Sequence, residues 1–283
     1  MTELIRLDII VPEDDADVTT GLMALHVTFG WEEESLPTGE VRFRMHCDNP
    51  AFVQTVAADL RAALPDATFE QTVVEQQDWA MAWREFFTPV AIGTHFMVIA
   101  PWMQETLDLQ GRTPIVIEPK TAFGTGHHPT TALCLGVVSR LAGEGRLRAG
   151  MTFLDLGTGS GILGIGCAKL GLTGTGTDID PLAVENAEEN RVINGVADAF
   201  GVVEGSTGVV RGNTYDVVLA NILAQPLKDL APEIVALVAK GGCLILSGLL
   251  DVQADGVEEA YRAQGYGPAR RIVEGEWAAL IWE

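Results

Sequence analysis

Residues 153–164 read FLDLGTGSGILG, and Gly159, Gly161 and Gly164 stand at the spacing that lets a main chain turn sharply after a strand and pass close beneath a ligand. Asp178 follows at the end of the next strand-like run, where a carboxylate can accept hydrogen bonds from both hydroxyls of a ribose. Both features suit a dinucleotide, and both suit a nucleoside without phosphates. Asp155, just before Gly157, bears on the choice. A carboxylate at the strand mouth repels a pyrophosphate seated on the following helix and suits the ammonium end of a zwitterionic ligand bearing a sulfonium. Asp180, directly before Pro181, reads instead as the N-cap of a helix.

Two more stretches carry chemistry. AFGTGHHPTT, residues 122–131, sets two glycine turns, adjacent His127 and His128, and Thr130 and Thr131 in front of a helical run. The neighbouring histidines lack a spaced third ligand, so no metal is expected there, and His127 is expected to face solvent. ANILAQPL, residues 220–227, ends a strand on Asn221, whose amide oxygen could hold a reacting amine; taken alone, it also reads as an ordinary turn asparagine.

The elements that must position these residues fall into two halves. Residues 1–76 alternate between strand and helix periods in the order βαββαβ: 3–11, 18–29, 31–36, 41–47, 51–64 and 68–75. That order is the ferredoxin-like α+β motif. A Trp-rich run, DWAMAWREFF, predicts a connecting helix within 77–89, closed by Pro89. Residues 90–283 alternate short apolar strands (151–156, 173–179, 199–204, 215–221, 243–248) with helices (160–170, 181–194, 224–238, 252–264). This is the pattern of a doubly wound, mainly parallel α/β sheet that binds ligands at the carboxyl ends of its strands.

Composition narrows the function. The formal net charge of -21 excludes a broad nucleic-acid footprint and permits a basic protein partner, with acidic runs at 13–17 and 32–34. No apolar stretch is long enough for a membrane span, and no basic segment precedes an apolar run at the start of the chain. Cys47, Cys134, Cys167 and Cys243 are scattered through apolar segments without a CxxC pair. They read as free thiols in a reducing cytoplasm.

Taken together, AFGTGHHPTT, LDLGTGSGILGI, GTDIDPLAVENAEEN and ANILAQPL resemble the class I S-adenosylmethionine-dependent methyltransferases, and among them the bacterial ribosomal protein L11 methyltransferase family. The resemblance implies a seven-stranded Rossmann-like catalytic domain behind the ferredoxin-like one. It implies S-adenosylmethionine as cofactor, touching Thr131, Gly157, Asp178 and Asn221, with Gly159 in the glycine loop, Asp155 at its mouth, and Phe123, His128 and Thr130 lining the pocket. It also implies a reaction at lysine side-chain and N-terminal amines of ribosomal protein L11, with Asn221 at the reacting centre. The N-terminal domain would recognise the substrate, and a monomer is expected. Lys120 stands where the family pattern leads one to expect glycine. Three alternatives remain at this stage: a lysine methyltransferase acting on another basic protein, a non-catalytic cofactor-binding protein that docks on basic proteins, and an NAD-binding oxidoreductase.

Overall fold

A computed structural model describes residues 3–27, 31–47, 49–65, 67–75, 87–105, 107–119, 124 and 126–283. The chain divides into two compact units, Met1–Phe87 and Thr88–Glu283. Most of the expected connecting helix, with Trp79 and Trp83, lies outside the described residues, as do Lys120 and Phe123.

In the first unit, β1 (Glu3–Pro12), α1 (Ala16–His26), β2 (Glu32–Ser35), β3 (Glu40–Cys47), α2 (Pro50–Ala63) and β4 (Thr68–Glu75) follow the expected order. The strands form one antiparallel sheet in the order β2-β3-β1-β4, which is the ferredoxin-like arrangement. Side chains alternate across a strand. Ile5, Leu7, Ile9 and Val11 of β1 therefore share one face, and they pack with Phe43, Met45 and, from α2, Val53, Val56 and Leu60. Asn49 caps α2 by accepting the amides of Ala51 and Phe52, and Pro50 takes the first helical position. On the other face of β1, Asp8 is only 2% exposed. Its carboxylate is gripped by the Arg44 guanidinium at 2.6 Å and the Arg6 guanidinium at 2.9 Å.

The second unit opens with a three-stranded sheet, β5 (Val90–Ile92), β6 (Phe96–Ile99) and β7 (Thr113–Val116), followed by α3 (Pro129–Gly143). Next come β8 (Thr152–Leu156), α4 (Ile162–Lys169), β9 (Thr173–Asp178), α5 (Pro181–Ile193), β10 (Phe200–Glu204) and β11 (Tyr215–Asn221). The remainder is α6 (Ala224–Asp229), α7 (Ala231–Leu237), β12 (Val238–Leu250), α8 (Asp251–Arg262), β13 (Arg270–Glu274) and β14 (Trp277–Trp282). The seven-stranded sheet runs β10-β9-β8-β11-β12-β14-β13, parallel except for β14, which is antiparallel to both of its neighbours.

Both faces of this sheet are covered. Phe153, Val217, Leu219 and Ile245 pack toward α3 and α4, while Leu154, Val218, Leu244 and Leu246 pack toward α6, α7 and α8. Gly164 of α4 lies so close to the sheet that a Cβ there would stand 2.3 Å from the Phe200 ring. The single helix expected over 224–238 is two helices, because Pro232 has no amide to give and its ring crowds the carbonyl four residues back. The strand expected at 243–248 extends to Val238–Leu250, and the β13–β14 hairpin adds an antiparallel edge.

The end of β7 and the chain just after it are tied by asparagines at the carboxyl end of α5. Asn194 accepts the Val116 amide through Oδ1 at 2.9 Å and donates to the Val116 carbonyl through Nδ2 at 2.6 Å. Asn190 accepts the amide of Glu118 at 2.9 Å. These buried side chains continue as hydrogen bonds what β7 began as a strand.

Strands β8, β9 and β10 step outward in one direction, and β11 returns to the other side of β8. The crossovers on either side of β8 and β11 therefore diverge, opening a crevice at the carboxyl ends of these strands, where such sheets bind ligands.

Candidate functional site

At the end of β8 the chain turns through Gly157, whose φ of 72° is open to glycine at little cost. A Cβ on Gly157 would stand 2.2 Å from Cγ2 of Ile222. The amides of Gly157 and Thr158 both donate to the Thr177 carbonyl, at 2.8 and 3.0 Å, lacing the loop to β9. The next amide, that of Gly159, donates to Oδ2 of Asp178 at 2.9 Å, and the Asp180 amide donates to Oδ1 at 3.1 Å. The Asp178 carboxylate is thereby oriented with accepting capacity left over. Asp180 caps α5 through the Leu182 amide at 2.9 Å, ahead of Pro181.

Asp155 sits differently from the expectation. It shares the face of Phe153 on β8, beneath α4, and is fully buried. Oδ2 accepts the Thr158 hydroxyl at 2.6 Å and the Gly164 amide at 3.0 Å. Gly164 is the third residue of α4, whose N-cap, Gly161, has no side chain to offer. Asp155 therefore supplies the missing cap from below, and its charge meets the positive end of the helix. Burial raises its pKa to about 6, against the lowering effect of those two hydrogen bonds. The carboxylate is not part of the cavity wall; its contacts are with the Thr158 hydroxyl and the Gly164 amide.

Within AFGTGHHPTT, His128 caps α3: Nδ1 accepts the Thr130 amide at 3.3 Å and lies 2.8 Å from the Thr130 hydroxyl. The imidazole ring meets the indole of Trp277 edge-on, with centroids 4.6 Å apart. Thr130 and Thr131 are wholly buried. Across from them, Asn221 at the end of β11 donates from Nδ2 to the Thr131 hydroxyl at 3.4 Å, while its Oδ1 is buried with no partner.

A cavity of about 450 Å³ joins these groups. Its wall includes His128, Thr130, Thr131, Gly157, Gly159, Asp178 and Asn221, all singled out in the sequence. It also includes Gly205, Ser206, Ile222, Leu223 and Trp277, which were not. Ile222 and Leu223 lie within ANILAQPL and were within reach of that motif; Trp277 is far along the chain with no local signature. His127 is exposed, with Nε2 3.0 Å from the carbonyl of Thr88. Among the described residues, no group of three or more His, Cys, Asp or Glu side chains could hold a metal ion. No helix among them is long and apolar enough to cross a membrane.

Residues 31–283 match the family model described as ribosomal protein L11 methyltransferase (PrmA). A ribosomal protein L11 methyltransferase from Geotalea uraniireducens is 38% identical over 272 residues, covering 89% of this chain and 85% of the relative. One from Myxococcus xanthus is 38% identical over 243 residues, covering 86% and 81%. Among solved structures, ribosomal protein L11 methylase from Lactobacillus delbrueckii subsp. bulgaricus superposes with a TM-score of 0.61 at 28% identity. That alignment covers 69% of this chain and 97% of that one.

Proposed function

Since the chain belongs to the ribosomal protein L11 methyltransferase family, whose members methylate that protein with S-adenosylmethionine, we propose that here the acceptors are lysine side-chain and N-terminal amines, and that Asn221 holds the reacting nitrogen. The observation that carries this reading is the buried, unpartnered Oδ1 of Asn221 in the wall of the cavity. An unsatisfied buried carbonyl is costly and awaits a donor, and an amine N–H is one.

The remaining residues divide between the two ligands. Asp178 lies two strands from Asn221 in the sheet, on the order of 10 Å at ordinary strand spacing, and its spare lone pairs suit ribose hydroxyls. Gly157 and Gly159 let the loop run close to the nucleoside, and Thr131, Thr130 and His128 form the wall near Asn221. When bound, S-adenosylmethionine supplies a methyl group on a sulfonium, open to in-line attack. A lysine ammonium, with a pKa of about 10.4, has no lone pair for that attack. The apolar walls of Leu156, Ile222, Leu223 and Trp277 favour the neutral amine by desolvation, and the Asn221 oxygen fixes the direction of its lone pair.

The antiparallel unit, Met1–Phe87, is read as the substrate-recognition domain, and Thr88–Glu283 as the catalytic one. The net charge of -21 suits a basic protein substrate met in the cytoplasm by a monomeric enzyme without direct nucleic-acid contact. Intact-mass spectrometry tests the whole reading: unmethylated ribosomal protein L11, incubated with the full chain and S-adenosylmethionine, is expected to gain successive methyl groups, and other basic ribosomal proteins none. Cofactor binding with methylation only of another basic protein would reassign the substrate. NAD binding without an S-adenosylmethionine effect on melting would overturn the chemistry.

A further inference from the structure

Ser160 sits between Gly159, whose amide holds Asp178, and Gly161, the N-cap of α4. Its side chain is 1% exposed and does not reach the cavity wall. Instead, its hydroxyl donates to the carbonyl of Gly124 at 2.6 Å. Its own carbonyl accepts Nδ2 of Asn190 at 2.8 Å, and Oδ1 of the same asparagine accepts the Glu118 amide. Gly124 does line the cavity, with φ at 110°, and a Cβ there would stand 2.6 Å from the Ser160 hydroxyl oxygen. One chain of buried hydrogen bonds thus runs from α5 through the glycine loop to the cavity wall at Gly124.

The geometry points to Ser160 as a positioning residue: its hydroxyl holds the Gly124 main chain against the glycine loop at the spacing the cofactor requires, and Asn190 holds Ser160 in place. The inference rests on reading the cavity as the S-adenosylmethionine site. The glycine loop itself is already held by the Thr177 carbonyl and Asp178, so the hydroxyl is not needed to shape it. What the hydroxyl adds is a fixed separation between two backbones that wall the same cavity. Losing it leaves a buried carbonyl unpaired and frees that wall.

The test is titration calorimetry with S-adenosylhomocysteine on the full chain, alongside steady-state kinetics and thermal melting. Ser160→Ala is expected to raise Kd and the KM for S-adenosylmethionine about tenfold while kcat at saturation stays within about twofold, and Ser160→Thr, which keeps the hydroxyl, is expected to restore affinity. Gly124→Ala crowds the same hydroxyl and is expected to weaken binding by itself. Combined with Ser160→Ala it should cost less than the two single losses multiplied, because contacting residues couple. Wild-type affinity in Ser160→Ala overturns the proposal. So does an equal fall in kcat and kcat/KM, or a lowered melting temperature that Ser160→Thr fails to rescue together with multiplicative losses in the pair. If the unaltered chain itself binds no S-adenosylhomocysteine, the cofactor reading falls as well, whereas normal binding unchanged by Ser160→Ala removes the positioning role alone.

Discussion

Each unit of this protein buries an aspartate in an interior strand of its sheet, and the two are compensated in opposite ways. Asp8, in β1, lies on the sheet face away from the helices, where Arg6 and Arg44 reach it from the same and the neighbouring strand. Asp155, in β8, lies in a sheet covered on both faces, where its hydrogen bonds come from one hydroxyl and one backbone amide, with Oδ1 unpartnered. An antiparallel sheet packed on one side can neutralise a buried carboxylate with long cations lying along its open face. A parallel sheet between two helical layers has room only for dipoles, and a helix end is the strongest one available. The comparison bears on where the cavity lies: in the second unit strand ends, helix termini and glycine turns converge on one crevice, whereas in the first the buried aspartate is closed off by its arginines.

The largest expected effect probes the two-sided burial. Phe153→Ala, in the core between β8 and α4, is expected to destabilise by about 4 kcal/mol. Hydrogen exchange should rise across β8, β9 and β11 and stay unchanged in β1–β4; equal loosening of both units would remove the distinction between them.

Next comes the carboxylate held by dipoles alone. The folded-state pKa of Asp155 is raised to about 6 from 3.8, so between these values the folded chain keeps a proton that the unfolded chain has released. Stability from this group therefore falls as pH rises from about 4 to about 6 and is level above that. Across this window, Asp155→Asn is expected to gain on the wild type by on the order of 3 kcal/mol. Urea melts at stepped pH would read the gain, and parallel curves for the two proteins would show that Asp155 does not titrate in the fold.

Asn221→Ala is expected to lower methyl transfer about a hundredfold, comparable to removing one preorganised polar group from an active site, with S-adenosylhomocysteine affinity within a few-fold. Turnover near the wild-type rate would free Asn221 from the mechanism. The smallest effect belongs to the first unit. Arg44→Ala leaves Asp8 with Arg6 alone and is expected to cost about 2 kcal/mol, less than full loss of a buried pair. High salt should not mimic it, since Asp8 is shielded from solvent.

Much of this was legible from period and punctuation. The alternation Ile5, Leu7, Ile9, Val11 announces a one-sided strand, and the solid run of MTFLDL announces a two-sided one. The glycines, Asp178, Thr131 and Asn221 converge on one cavity because each sits at or beside an element end that the sequence marks. Asp155 was assigned by its charge to a ligand, but a strand's twofold period already put it on the face of Phe153, turned under the helix. Pro232 was read through because the apolar spacing continues across it, although a proline there cannot. Trp277 could not be placed from the sequence, because its neighbour His128 is brought to it only by the antiparallel insertion of β14 beside β12.

The asparagines that tie the end of α5 to β7 and the chain just after it bear on how this protein ages. Asn194 is followed by Gly195, a pair in which the backbone nitrogen readily attacks the side-chain amide carbon, expelling ammonia to give a cyclic imide that water then opens to aspartate or its iso form. In the fold, both polar atoms of the Asn194 side chain are held by Val116, and the Gly195 amide donates to the Val192 carbonyl at 3.0 Å. Attack must wait until those bonds open together. Deamidation at this position is therefore expected to be slow in the folded chain and to proceed only through openings that release Asn194 from Val116.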